Sequence, residues 1–192
     1  MDLLNKTILI TGASDGIGKV LAVEFSKLGS NIVLLGRDPA KLDKVYDRLD
    51  HSFSSQKHLI LQADLNLLSN ESAHEILIAI TEEFNCLDGI IHNAAILGTM
   101  TTLEDYELSK WDEVLNINLR APFLLTKTLK SILEDSSLPR IIFTSSGVAN
   151  IGRAFWGAYS VSKFGLKGLA EIYANELETT SSIKVFNFDP EA

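Results

Sequence analysis

The sequence predicts an α/β protein with a doubly wound parallel sheet of at least six strands and helices on both faces. Three observations predict it. Short apolar runs alternate with stretches whose apolar residues recur at helical spacing. Those short runs lack clear polar alternation, as strands buried on both faces do. The first run stops at Gly12 in a glycine-rich turn that leads into a helical pattern. Strands separated by helices favour parallel pairing with right-handed crossovers.

Thr7–Thr11 reads as the first strand. Gly18 to Leu28 carries Val20, Leu21, Phe25 and Leu28 as a helical stripe, which Gly29 closes as a C-cap would. Asn31–Gly36 is the second strand. Asp38 and Pro39 start a polar helix to about Leu49, because Asp caps well and Pro suits a first turn. His58–Ala63 is the third strand and Ser72–Phe84 the next helix. Leu87–His92 is the fourth strand, followed by one long helix over about Ser109–Glu134. Arg140–Thr144 is the fifth strand, about Trp156–Glu178 a helix, and Ile183–Phe188 the sixth strand.

The 192 residues suffice for one core and are read as a single domain, with no internal repeat or linker. Apolar content of 46% and charged content of 22% are ordinary for a globular enzyme. A formal charge of −8 argues against nucleic-acid binding, which favours basic surfaces. A single cysteine, Cys86, excludes a disulfide framework within the chain and reads as a buried, inert thiol. Asp2, Asn5 and Lys6 interrupt the apolar start, so no signal peptide is expected. No apolar run approaches the ~20 residues that span a bilayer. The expected setting is the cytoplasm, without membrane contact.

The stretch Thr7–Lys19 carries the first chemistry. Glycines let backbone approach a ligand closely, and the first N–H groups of a helix lack intrahelical partners. The helix dipole adds positive potential there, so the turn suits a phosphate. Ligands of open α/β sheets sit at the carboxyl ends of the strands. Residues expected on that rim are the glycine loop, Gly36-Arg37, Asp64, Asn93-Ala94-Ala95 and Ser145-Ser146. After the second strand an acidic residue suits NAD, whereas Arg37 suits the 2′-phosphate of NADP. NADP is therefore preferred over NAD. Asp15 runs against this unless it points away from the phosphates, as an N-cap would. Asp64 reads equally well as an adenine contact or as the cap of the next turn.

Tyr159 and Lys163 form the second cluster. Four residues apart on a helix, they share a face, and an ammonium beside a phenol favours the phenolate. Bringing a free tyrosine from near 10 to ~7 takes roughly 4 kcal/mol. Such a tyrosine moves a proton to or from a carbonyl oxygen, with Ser146 hydrogen-bonding the same oxygen. His92 reads as structural, His51, His58 and His74 as solvated, and no metal site is expected.

Together these residues resemble the short-chain dehydrogenase/reductase family, simple one-domain type, from Thr7 to the end of the chain. Thr11-Gly12-Ala13-Ser14-Asp15-Gly16-Ile17-Gly18 is similar to the family's cofactor loop, and Asp64-Leu65 to its adenine-contacting pair. His92-Asn93-Ala94-Ala95 resembles its Asn-Asn-Ala-Gly motif, with His92 and Ala95 as departures. Ser146, Tyr159 and Lys163 have its catalytic spacing, and Asn118, seven residues after Trp111, falls at its catalytic asparagine. Leu34–Arg37, Phe143–Ser146 and Trp156–Tyr159 resemble the YciK-type subgroup of bacterial oxidoreductases.

The resemblance implies a Rossmann fold and hydride transfer between NADP and a carbonyl or secondary alcohol. It implies that Tyr159 is the general acid/base, that Lys163 tunes it and holds the nicotinamide ribose, and that Ser146 positions substrate. Asn118 would hold a water at Lys163 through its backbone in a helix kink. Implied cofactor contacts are Gly12, Ser14, Asp15, Gly16, Ile17, Gly18, Arg37, Asp64, Leu65, Asn93, Ala94, Tyr159 and Lys163. Pairing into a homodimer or homotetramer through the two long helices is also implied, by way of Phe123, Leu124, Phe164 and Leu169. The family continues past a Pro-Gly into a substrate-covering segment and a seventh strand, whereas here Pro190 precedes Glu191 and Ala192. The sequence is accordingly expected to be part of a longer chain, with its sixth strand left as an edge. The competing readings are a non-catalytic NAD(P)-binding module, as a redox sensor or assembly partner, and a lyase or epimerase on the same scaffold.

Overall fold

The computed structural model describes residues 3–190. Asp2, Glu191 and Ala192, which entered the sequence reading, lie outside the described residues. Six parallel strands form one sheet: β1 (Thr7–Thr11), β2 (Asn31–Gly36), β3 (His58–Gln62), β4 (Gly89–His92), β5 (Arg140–Thr144) and β6 (Lys184–Phe188). Their spatial order is β3-β2-β1-β4-β5-β6. The chain winds outward from β1 to β3, then returns to the other side of β1. That reversal opens a crevice above the carboxyl ends of β1 and β4.

The missing polar alternation has a direct cause. Successive residues of a strand point to opposite faces, and here both faces are covered over the central strands. Ile8, Ile10, Ile32, Leu34 and Ile91 pack on one face, with α1 (Gly16–Lys27) and α2 (Pro39–Tyr46). Leu9, Val33, Leu35, Ile90, Ile141 and Phe143 pack on the other. That second face meets α3 (Asn70–Glu83), α5 (Ala121–Glu134) and α6 (Gly157–Glu178). The expectation of burial on both faces does not hold at the margins. β3 is half-buried, and β6 is an open edge whose Phe186 and Phe188 remain 49% and 46% exposed.

Local chemistry moves several boundaries. The helix expected from Ser72 begins at Asn70, because Ser69 and Ser72 form a reciprocal capping box. Asp38 caps α2 through the Lys41 N–H at 3.1 Å, with Pro39 following as expected. The single helix expected over 109–134 is broken. α4 (Leu108–Leu115) passes into a wide π-helical turn, Asn116–Arg120, before α5 begins. β4 starts at Gly89 rather than Leu87, since Asp88 serves as a staple. Its carboxylate accepts from the Thr7 N–H at 2.9 Å, Lys6 Nζ at 3.0 Å and Ser136 Oγ at 2.6 Å.

His58 is not solvated as expected. Its Nδ1 accepts from the Ile32 N–H at 3.1 Å, and its Nε2 donates to the Asp50 carbonyl at 3.0 Å. His92 is structural, as the sequence suggested. It is buried, stacked on Phe143 and bonded through Nε2 to Thr126 Oγ1 at 2.8 Å. Burial pushes its pKa down to about 3, so the ring is neutral.

Candidate active site

The crevice at the switch point is a cleft of about 450 Å³. Gly12, Ser14, Asp15, Gly16, Ile17, Arg37, Asp64, Leu65, Asn93 and Ala94 all line it, as does Ala95. Gly18 does not. It is buried against the loop, where an added Cβ would lie 2.4 Å from the Gly12 carbonyl oxygen. Its contribution is close packing of α1 on the turn rather than a contact in the cleft.

Several cleft residues are held by local devices. Gly12 takes φ +65°, a left-handed turn that L side chains adopt only with strain, and it lies against Ala94. Asp15 caps α1 by accepting from the Gly16 N–H at 2.8 Å, and its other oxygen lies 4.0 Å from Lys41 Nζ. The carboxylate thus faces solvent and Lys41. Arg37 is exposed on the rim and makes no ion pair among the described residues, while Asp38 is occupied in capping α2. Asp64 both caps its turn, accepting from the Asn66 N–H at 2.9 Å, and lines the cleft.

Thr11 was missed as a site-building residue. Its hydroxyl accepts from the N–H groups of Asn93 and Ala94 at 3.0 and 3.1 Å. Asn93 Nδ2 returns a bond to the Thr11 carbonyl at 3.2 Å. These bonds lock the end of β4 to the glycine turn. Only the β-branched hydroxyl type at the end of β1 could have signalled them.

Tyr159, Lys163, Ser146 and Asn118 do not line the cleft; Asn118 is tied to it through Ile96, which does. Lys163 is 3% exposed, and its Nζ donates to the Thr144 carbonyl at 2.7 Å, while lying 5.6 Å from the Tyr159 ring centre. Burial pulls the amine down to about 8, opposed by the charge of Asp189. Ser146 is buried at the end of β5, where the chain leaves the sheet.

Asn118 is 1% exposed inside the π-helical turn. Its Oδ1 accepts from the Ile96 N–H, and its Nδ2 donates to the Ile96 carbonyl and to Ser162 Oγ, at 2.9, 2.9 and 3.0 Å. Ser162, also missed, donates in turn to the Tyr159 carbonyl at 2.7 Å. The Asn118 side chain therefore ties the strand-four loop to the helix that carries Tyr159. Among the described residues no group of three or more His, Cys, Asp or Glu could hold a metal ion, and no helix is long and apolar enough to cross a membrane.

A doubly wound sheet with a glycine turn at its switch point and a buried lysine one turn from a tyrosine defines a nucleotide-binding oxidoreductase class. Comparison with known proteins gives the family. The profile described as short chain dehydrogenase matches residues 6–192, and the chain belongs to that family. It is 35% identical over 187 residues to the uncharacterized oxidoreductase YciK of Escherichia coli K12, covering 97% of this chain and 74% of YciK. A solved Pseudomonas syringae protein assigned to the short chain dehydrogenases is 38% identical, with a TM-score of 0.94. The match covers 100% of this chain and 77% of that one. A Shigella flexneri 2a protein of the same assignment, solved in complex with NADP, is 35% identical with a TM-score of 0.92. That match covers 98% of this chain and 78% of the Shigella protein.

Proposed function

We propose that the chain transfers a hydride between NADP and a small carbonyl compound or secondary alcohol. The observation that carries this reading is the buried Lys163 ammonium 5.6 Å from the Tyr159 ring centre, in a fold whose glycine turn builds a cleft. The cleft suits the cofactor on its own chemistry. It offers helix N–H groups for phosphate, and Arg37 is available for a 2′-phosphate. The NADP complex of the Shigella relative supports the same choice.

When bound, the cofactor supplies or accepts the hydride. The chain supplies the rest. Tyr159 holds the proton that a carbonyl oxygen takes up, or removes it in the reverse direction. The Lys163 charge favours the phenolate that remains. Ser146 donates to the substrate oxygen. Asn118 fixes the π-helical turn against α6, which sets the height of Tyr159 over the cleft. Gly12, Ser14, Asp15, Gly16 and Ile17 would hold the phosphates, and Asp64, Leu65, Asn93 and Ala94 would line the rest of the cofactor's path. Gly18 supports them by packing.

Purified protein with NADPH and a panel of carbonyls should bleach the reduced-nicotinamide band. Tyr159→Phe should abolish turnover while NADPH still binds. Turnover surviving in Tyr159→Phe overturns the mechanism, and binding without turnover on any carbonyl favours the non-catalytic module instead. Self-association belongs to the same proposal. Phe123 and Phe164 face outward at 44% exposure each, whereas Leu124 faces the sheet. Light scattering on dilute protein should report a dimer or tetramer.

A further inference from the structure

β6 ends where the reacting residues begin. Phe188, its last residue, pairs with Thr144, and the Phe188 carbonyl accepts from the Ser145 N–H at 2.7 Å. The Thr144 carbonyl is the one that takes Lys163 Nζ. The strand register therefore carries the next residue, Asp189, past the end of β6 beside Ser145, on the side of the sheet end where the Thr144 carbonyl takes the lysine. Asp189 is half-buried there.

Lys163 needs a counter-charge. A buried ammonium is costly unless an opposite charge compensates it, and the Thr144 carbonyl is neutral. Other charged groups on the elements around α6 are placed elsewhere. Arg140 and Lys184 sit at the opposite ends of β5 and β6. Arg120 donates to the Leu68 carbonyl, and Lys167 to Asn150 Oδ1. On α4, Lys110 pairs with Glu113, and Asp112 lies in the outer groove with Leu119 and Phe123. His92 is neutral. The charge that reaches the Lys163 amine is that of Asp189, which works against the effect of burial.

We propose that Asp189 is a positioning residue for the Tyr159–Lys163 pair: its carboxylate, placed by the β5–β6 register, keeps the Lys163 side chain an ammonium held at the Thr144 carbonyl. This deepens the reading of the site given above and rests on it. Asp189 acts on Tyr159 only through Lys163. Without it, the amine loses its proton at lower pH, and the support it gives to the phenolate fails earlier on the alkaline side.

The test is the titration of the Lys163 amine itself, followed by NMR on protein labelled at the lysine side chains and assigned by comparison with Lys163→Arg. Asp189→Asn should lower the Lys163 midpoint by at least about half a pH unit, and Asp189→Glu should return it to the wild-type position. Asp189→Ser serves as the neutral variant where the Asn protein does not fold. A midpoint that stays put in the neutral variant, or that rises, overturns the proposal. So does a Glu variant that titrates like the Asn one. The pH profile of turnover is read separately. A shifted midpoint in a protein that reduces no carbonyl defeats the proposed reaction and leaves the role of Asp189 standing. Turnover with an unmoved midpoint does the reverse.

Discussion

Gly18→Ala separates the two kinds of glycine in the cofactor turn. The added methyl would lie 2.4 Å from the Gly12 carbonyl oxygen and 2.7 Å from Asn93 Nδ2. The first of these is backbone and cannot rotate away. Restoring an ordinary contact of 3.4 Å requires helix and turn to part by about 1 Å. Overpacking of this kind costs about 1–3 kcal/mol, and a backbone clash belongs at the upper end. The gain in helix propensity from Gly to Ala returns about 1 kcal/mol. The net loss is then about 2 kcal/mol, a fall in Tm of about 4–8 °C for a chain of this size. The same displacement moves the N–H groups that would face the cofactor phosphates in the proposed mode of binding. Losing one charge-assisted hydrogen bond costs about 1.5 kcal/mol, or about tenfold in NADPH affinity. Gly16→Ala is the control. Gly16 has φ +52° with nothing within 4 Å of an added Cβ, so only left-handed strain of about 1–2 kcal/mol applies, with no displacement of the loop. Thermal melts and NADPH fluorescence titrations of both variants decide the matter. A Gly18→Ala protein that melts within about 1 °C of wild type and binds NADPH within about twofold refutes the packing argument.

Arg37→Ala should weaken NADPH by about tenfold or more and leave NADH binding unchanged, measured by the same titration. Equal losses for both cofactors would show that Arg37 does not read the 2′-phosphate. Asp88→Ala removes the staple under β1, β4 and the turn before β5, leaving Lys6, the Thr7 N–H and Ser136 without their acceptor. Urea unfolding should show a loss of about 3 kcal/mol, and a loss below about 1 kcal/mol would contradict the staple. His92 gives a pH dependence with a definite sign. Its folded pKa of about 3 lies below the ordinary 6.5, so the unfolded chain binds the extra proton in that window. Its stabilisation is complete above 6.5 and falls as pH drops toward 3, by about 2 kcal/mol at about pH 5. Urea midpoints of wild type and His92→Asn across that range should show the shallower slope in the variant.

How far the sequence could be read depends on what apolar pattern encodes. It encodes burial, so β1 and β2 stand where the runs Thr7–Thr11 and Asn31–Gly36 placed them. It does not encode partners. His58 looked solvated at the start of its strand, after Gln56-Lys57, yet its two ring nitrogens bridge β2 and the Asp50 carbonyl. β6 lies at the sheet edge, as expected, although the run Ile183–Phe188 is apolar. In the site, Tyr159 and Lys163 were legible because four-residue spacing on a helix is a local fact. Thr11 was not, since its partners Asn93 and Ala94 lie 82 and 83 residues away. Asn118 was found only through family resemblance. Its surroundings, an interrupted helix and a loop from β4, exist only after the chain has folded.

The two halves of the site are joined mainly by side chains that grip backbone groups, so one end of most of these bonds is set by the fold itself. Lys163 is held by the Thr144 carbonyl, not by the threonine side chain. Asn118 grips both backbone groups of Ile96, and Ser162 the Tyr159 carbonyl. Substituting Thr144 or Ile96 by a residue of similar shape leaves those bonds available. Changing the strand register does not, because a one-residue slip of β5 carries the Thr144 carbonyl to a different place under the helix. The pairing of Thr144 with Phe188 and of Phe143 with His92 therefore sets the position of the Lys163 amine. Under the proposed mechanism the outer strand β6 would bear on the chemistry through that register, although its own side chains are largely exposed.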